Sequence, residues 1–247
     1  VGKGNRAPAD PDQFEEASKW FRGRVVVTRA EWDAMSRQAR RQAFTIAGTQ
    51  QAKVVQTVFD AIALAIDKGT PIDKWRKELR KKLGAFADKN SATLTTAFIN
   101  ANQTAYNTGR YYQMSNPAVT VALPYRVYDS VLDTRTTDIC KGLNGTVLLH
   151  SDPWWLTHWP PMHHRCRSSV RALSASMAKK RGLTQKLPRP EIPDDFGLAP
   201  PLRAGQVWEP SAADFDPAAW AIYQRNQSRM KAANDNATKP KRSPRKD

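Results

Sequence analysis

Residues 117–128 read Pro-Ala-Val-Thr-Val-Ala-Leu-Pro-Tyr-Arg-Val-Tyr, and within them the spacing of apolar side chains changes. Upstream, apolar residues recur every three to four positions, the period of a helix with one buried face. Downstream, short β-branched and aromatic runs take over at 119–123, 125–128, 146–149 and 167–170. Helices that come first and strands that come after predict an α+β fold, with a helical region over 1–118 and a small antiparallel β unit over 119–178.

On the helical side, Asp10-Pro11 offers a capping side chain followed by a proline at the first helical position. Phe14, Ala17, Trp20 and Phe21 follow at helical spacing and form an aromatic stripe. Thr28-Arg-Ala-Glu31 is a capping box whose helix should run through Trp32, Met35 and Ala39. Over 49–68, Val54, Val55, Val58, Phe59, Ile62, Leu64, Ala65 and Ile66 make a broad apolar face closed by Gly69. Thr70-Pro71 opens a helix over 72–83 that sets Trp75, Leu79 and Leu83 against Lys74, Arg76, Lys77, Arg80, Lys81 and Lys82. Its outer face is basic, and such runs are usually solvated. Ser91 caps a long helix to about Met114, with Leu94, Phe98, Ile99, Ala101, Ala105 and Tyr106 inward and Pro117 as its stop.

Lys and Arg outnumber Asp and Glu by 39 to 23, a formal charge of +16 over 247 residues. An excess of that size favours polyanionic partners, nucleic acid first. The chain is long enough to bury a core without staples. No window approaches the roughly 18–20 apolar residues that span a bilayer. The opening Val-Gly-Lys-Gly-Asn-Arg lacks the apolar core of a signal peptide, which together with only two cysteines points to a cytoplasm. Pro188, Pro190, Pro193, Pro200 and Pro201, with Phe196, Leu198 and Trp208 as anchors, predict an extended arm over 179–223. Over 224–247, Lys239, Lys241, Arg242, Arg245 and Lys246 dominate a stretch whose largest apolar side chain is Met230. That composition predicts a disordered tail that can follow DNA phosphates without a fixed register.

Both cysteines and all four histidines fall within 133–173. Cys140, His163 and Cys166 are the ligand types zinc prefers, and the His-x-x-Cys step lets two of them face one ion from a tight turn. Asp133, Asp138, His158 and His164 compete for a fourth position. A Cys140–Cys166 disulfide in a released particle, or two buried thiols beside a hydrogen-bonded histidine, are the alternatives. Asp133-Thr-Arg135 reads as a loop-fixing turn, the aspartate accepting backbone donors and the arginine pairing with a carboxylate. Asn144-Gly145 is a hairpin-type turn. Trp154, Trp155 and Trp159, set between prolines, suit a small core or a protein contact better than nucleotide stacking. A second function class is a metal-dependent nuclease or DNA-processing enzyme on His163, His164 and Cys166. No Ser/His/Asp set or Gly-rich phosphate loop accompanies it.

Asp133, Arg135, Cys140, Gly145, Pro160, Pro161, Cys166 and Arg167 stand in an order and spacing that resembles the C-terminal signature of phage Mu F-like minor head proteins and the wider phage head morphogenesis family. Trp20-Phe21-Arg22, the segment Asn102-Gln-Thr-Ala-Tyr106-Asn-Thr-Gly109-Arg110, and Pro124-Tyr-Arg-Val-Tyr128 extend the likeness upstream. Family members often carry His where this chain has Cys140, and a further Cys where it has Ser168. The resemblance implies a structural minor capsid protein of a tailed phage or prophage, without catalysis. It would sit in the virion, or in the host cytoplasm during assembly, and aid head morphogenesis near the portal and DNA packaging or ejection. Its implied partners are the portal protein, major capsid or scaffold proteins, and double-stranded DNA, with no membrane.

Overall fold

The computed structural model describes residues 11–200. α1 (Pro11–Arg22) leads to a two-residue strand β1 (Val25–Val26), short helices α2 (Arg29–Ala34) and α3 (Arg37–Arg40), and β2 (Ala43–Phe44), which pairs parallel with β1. The capping box at α2 is formed: Thr28 Oγ1 accepts the Glu31 N–H at 3.4 Å, and the Glu31 carboxylate accepts the Thr28 N–H at 2.5 Å. The helix expected to continue through Ala39 breaks after Ala34, where Met35 turns extended. That bend carries Met35 and Ala39 into one small core with Val25, Val27 and Ala43.

α4 (Ala52–Lys68) ends at Gly69, whose left-handed φ of 58° lets its N–H reach the last-turn carbonyls. α5 (Ile72–Leu83) buries Trp75 and Leu79, and α6 (Ala85–Lys89) leads almost directly into α7 (Ser91–Ser115). For that reason Asn90, not Ser91, holds the cap position of α7, with no side-chain cap bond. Leu94, Phe98, Ala101 and Ala105 face inward as expected, but Tyr106 is 42% exposed. It lies about 100° around the helix from Ala105. The helical core stacks Phe21 on Phe59 at 4.8 Å and sets Trp75 against Phe98 at 4.5 Å. α1 lies along α7 in the most extensive contact between two elements.

The second part runs α8 (Pro117–Ala122), β3 (Tyr125–Asp129), α9 (Asp138–Leu143), β4 (Val147–Leu149), α10 (Trp154–Thr157), β5 (Ser169–Leu173) and α11 (Ala175–Arg181). Its antiparallel sheet has the order β4-β3-β5, with Val127 opposite both Val147 and Arg171. An α+β fold, helices first, is therefore what the chain adopts. One expected strand, 119–123, is wrong: 119–122 belongs to a helix and Leu123 is its C-cap. Asn116 Oδ1 accepts the Ala118 N–H at 2.9 Å and Pro117 takes the first helical position, so the start signal outweighs the β-branched residues. The last strand also begins later than expected, at Ser169. Asn144-Gly145 does not close a two-residue hairpin, because α9 lies between β3 and β4. With Gly145 at φ 80° it turns the chain out of α9 instead.

At about 37 Å, the 25 residues of α7 are long enough to reach both parts. Leu94 to Ala105 line the helical core, whereas Met114 and Tyr111 pack with the second core around Trp159 and Val170. Residues 182–199 carry no helix or strand, and Leu187, Ile192 and Ala199 among them pack on that second core. Asp10, the Phe14 side chain, Trp208 and the whole basic tail with Lys239, Lys241, Arg242, Arg245 and Lys246 lie outside the described residues. No helix among the described residues is long and apolar enough to cross a membrane.

A candidate cysteine and histidine centre

The floor of the site is aromatic. Trp154, Trp155 and Trp159 are buried, with Trp155 and Trp159 edge to face at 6.2 Å. The chain at 197–199 pairs its backbone with this stretch. The Trp159 N–H donates to the Gly197 carbonyl at 2.7 Å, and the Gly197 N–H to the Pro161 carbonyl at 3.0 Å. Pro160 and Pro161 are both buried and joined by a cis bond. Gly197 has φ 76°, and a Cβ there would stand 2.7 Å from the Thr157 carbonyl, so a glycine is required.

On this floor α9 and one tight turn bring the cluster together. Thr137 caps α9, placing Cys140 in its first turn. His163 to Cys166 form the turn, closed by the Cys166 N–H on the His163 carbonyl at 3.2 Å, with Arg165 left-handed at φ 57°. That conformation is strained for a non-glycine residue, and α7 holds it in place. Asn100 Oδ1 accepts the Arg165 N–H at 2.7 Å, and the Arg165 guanidinium donates to Thr96 Oγ1 at 2.9 Å.

Cys140 and Cys166 place their Sγ atoms 3.7 Å apart, and both are free thiols, so the disulfide alternative does not describe this structure. His163 Nδ1 lies 2.8 Å from the His164 carbonyl, an acceptor only, so Nδ1 donates there. Nε2 is the nitrogen that faces the thiols, 3.2 Å from Cys140 Sγ and 2.9 Å from Thr137 Oγ1. Tyr128 Oη comes within 3.7 Å of Cys140 Sγ. The three candidate ligand atoms all fall within 4.8 Å of one another.

The two thiols differ electrostatically. The hydrogen bond from Cys166, with Ser168 and Tyr128 in support, draws Cys140 below the usual thiol range against the opposing effect of burial. Its place in the first turn of α9 acts in the same direction. Cys166 is pushed up, first by that same bond and then by burial. Tyr128 is also raised, chiefly by burial.

Beside the cluster, Arg167 grips Asp133 with both ends of its fork, at 2.7 and 2.5 Å, and the Arg135 N–H donates to Asp133 Oδ1 at 2.9 Å. The sequence pointed to the turn but not to this partner; the Arg135 guanidinium stands farther off, at 3.8 Å. The Arg167 fork holds the Asp133 carboxyl well below the usual carboxylate range. None of the four competing ligands reaches the cluster. Asp133 is engaged by Arg167, and Asp138 is 98% exposed beside Lys141. His158 stacks on Trp154 at 4.2 Å, and His164 turns its Nδ1 to Asn100 at 2.7 Å. His163 and His164 thus serve different neighbours, and the set His163, His164 and Cys166 does not converge on one point. On α5, Arg76 is taken up by Asp73 and Thr95, and Arg80 by Asp88, while Lys74, Lys77, Lys81 and Lys82 remain exposed.

Two residues escaped the sequence reading. Arg126 is 2% exposed, with its guanidinium 5.2 Å from the Tyr111 ring and 5.3 Å from the Trp159 ring, donating to Ser115 Oγ at 2.8 Å. A charged residue inside a strand carries no sign that it will be buried. Thr137 left a readable signal, because a threonine three residues before Cys140 is a cap spacing.

Residues 56–171 match the model of the family described as Phage Mu protein F like protein, a span that contains Asp133, Cys140, His163, Cys166 and Arg167. The chain belongs to this Mu F-like family. It is 31% identical over 187 residues to "Putative capsid assembly protein F" of Escherichia phage Mu, covering 68% of this chain and 42% of that protein. It is 32% identical over 167 residues to "Mu-like prophage FluMu F protein" of Haemophilus influenzae, covering 62% and 40%. This Mu F-like chain therefore spans about two fifths of the length of the curated relatives it matches. No solved structure matches it significantly.

Proposed function

We propose that this Mu F-like chain acts in head morphogenesis of a tailed phage or prophage, as a structural minor component of the particle rather than as an enzyme. The observation that carries this reading is the match of residues 56–171, which contain the whole cluster, to the Mu F-like family, together with the similarity to the phage Mu protein named for capsid assembly. The geometry agrees with an architectural use: the polar groups around the cluster are spent on Thr137, Asn100, Thr96 and Asp133, none aimed into a substrate-sized cavity. On this reading portal or major capsid subunits dock on outer faces of the chain, since the aromatic stripe of α1 is already taken up by the chain's own core, with Phe21 buried against Phe59. The exposed lysines of α5 and the C-terminal cations meet double-stranded DNA or acidic capsid surfaces.

Disrupting the gene in a producing strain tests the proposal: heads should fail to assemble or to fill, with DNA replication intact. Normal yields of filled heads would overturn it. Incubating the purified protein with plasmid and Mg, Mn or Zn discriminates the nuclease alternative, which requires cleavage that disappears in His163→Ala and His164→Ala. DNA contact is read from salt dependence: the slope of log affinity against log salt should shrink when residues 224–247 are removed. An unchanged slope would exclude that segment as the contact.

A further inference from the structure

We infer that Cys140, His163 and Cys166 form a zinc site in which two thiolates and one imidazole bind the ion and solvent takes the fourth position. Four observations converge on it. First, sulfurs bound to one tetrahedral zinc at about 2.3 Å stand about 3.8 Å apart, and a sulfur and an imidazole nitrogen about 3.6 Å. The separations here are 3.7 Å between the sulfurs and 3.2 Å from Cys140 Sγ to His163 Nε2, so two of the three pairs already stand near what a single ion would impose, and all three atoms lie within 4.8 Å of one another, a small adjustment from one centre.

Second, the histidine is correctly oriented. Its Nδ1–H is committed to the His164 carbonyl, so Nε2 is the nitrogen that faces the thiols, the usual way in which a protein orients an imidazole ligand. Third, the turn from His163 to Cys166 keeps Arg165 at φ 57°, and Asn100 and Thr96 of α7 hold it there. Fourth, charge balances: a divalent ion with two thiolates and a neutral imidazole has no net charge, which suits a pair of cysteines 2% and 1% exposed.

The described residues supply no fourth cysteine, histidine or carboxylate to this cluster. A narrow cleft lined by Thr137, Arg135, Arg167 and Ser168 opens on it, with about 10 Å³ of free space, room for about one water. Solvent in that cleft completes the tetrahedron. Softness favours zinc over magnesium or calcium, which prefer oxygen ligands. Bound there, the ion would fasten α9 to the turn that α7 holds. The inference concerns the fold unit alone and stands whether or not the head assembly role is correct.

The test is metal analysis of the purified, reduced full chain. After equilibration with zinc and removal of free metal, one zinc per chain should remain, and both thiols should become slow to react with a thiol reagent. Cobalt in place of zinc should give intense tetrahedral visible bands with thiolate charge transfer. His163→Ala should lose stoichiometric binding, while His164→Ala, which removes the neighbouring imidazole, should keep it. Because loss of a buried thiol can unfold the unit, Cys140→Ser and Cys166→Ser are read only alongside circular dichroism. A folded wild-type chain that retains no zinc and gives no cobalt spectrum overturns the inference. So does binding that persists in His163→Ala, or a Cys140–Cys166 disulfide that forms in the presence of zinc.

Discussion

Asp133 gathers an Arg167 fork, a backbone N–H from Arg135 and the Thr136 hydroxyl, and its carboxyl is held below the ordinary value of 3.8. A depressed carboxylate stabilises the fold fully above its unfolded value, and that contribution is lost as pH falls through the lower folded value. Asp133→Asn should therefore flatten the acid-side loss of melting temperature between about pH 4 and pH 2. An unaltered acid limb would show that the fork carries no linkage. Arg167→Lys should behave almost like Asp133→Asn, since an ammonium cannot reproduce the two parallel bonds. Gly197→Ala combines a left-handed backbone with a 2.7 Å approach to the Thr157 carbonyl, and should cost roughly 1–3 kcal/mol by urea unfolding. At this scale the sequence revealed what is local. The Asp133 turn was legible because its donors lie within three residues, whereas Arg167 is 34 positions away and nothing in the sequence pairs the two.

Elements were legible where period and caps agreed. α4, α5 and α7 announce themselves by long apolar stripes, and α4 and α5 stop at glycines. The 119–123 segment misled because its β-branched residues are outweighed by the Asn116-Pro117 start, and β1 and β2 are too short, at two residues each, to leave a pattern. Thr28→Ala should cost about 1 kcal/mol, the usual worth of a cap, and a cost near zero would show that the box does not anchor α2. α7 has a larger consequence. Because its first half lines the helical core and its last turns line the Trp159 core, both parts should unfold together. Far-UV circular dichroism, dominated by helix, and the fluorescence of a variant that keeps only Trp154, Trp155 and Trp159 of the second core, its other tryptophans replaced by Phe, should give coincident transitions. Two separated midpoints would show that α7 does not couple them.

Across the whole molecule, an α+β body with a formal charge of +16 joins a helical part to a second part, built on a small sheet, whose helices and turns carry every cysteine and histidine of the chain. The Mu F-like assignment rests on that second part and on the helices that lead into it. The family was legible there because the signature residues are few and ordered, and the structure brings Asp133 to Arg167 and Cys140 to Cys166. Which surface would meet a partner was not legible, since exposed lysines and apolar side chains carry no record of one. Quantitative mass spectrometry of purified heads and proheads tests the central claim most directly. A structural head role predicts this chain at a constant low ratio to the major capsid protein in those particles; its absence from proheads and heads alike would contradict that role.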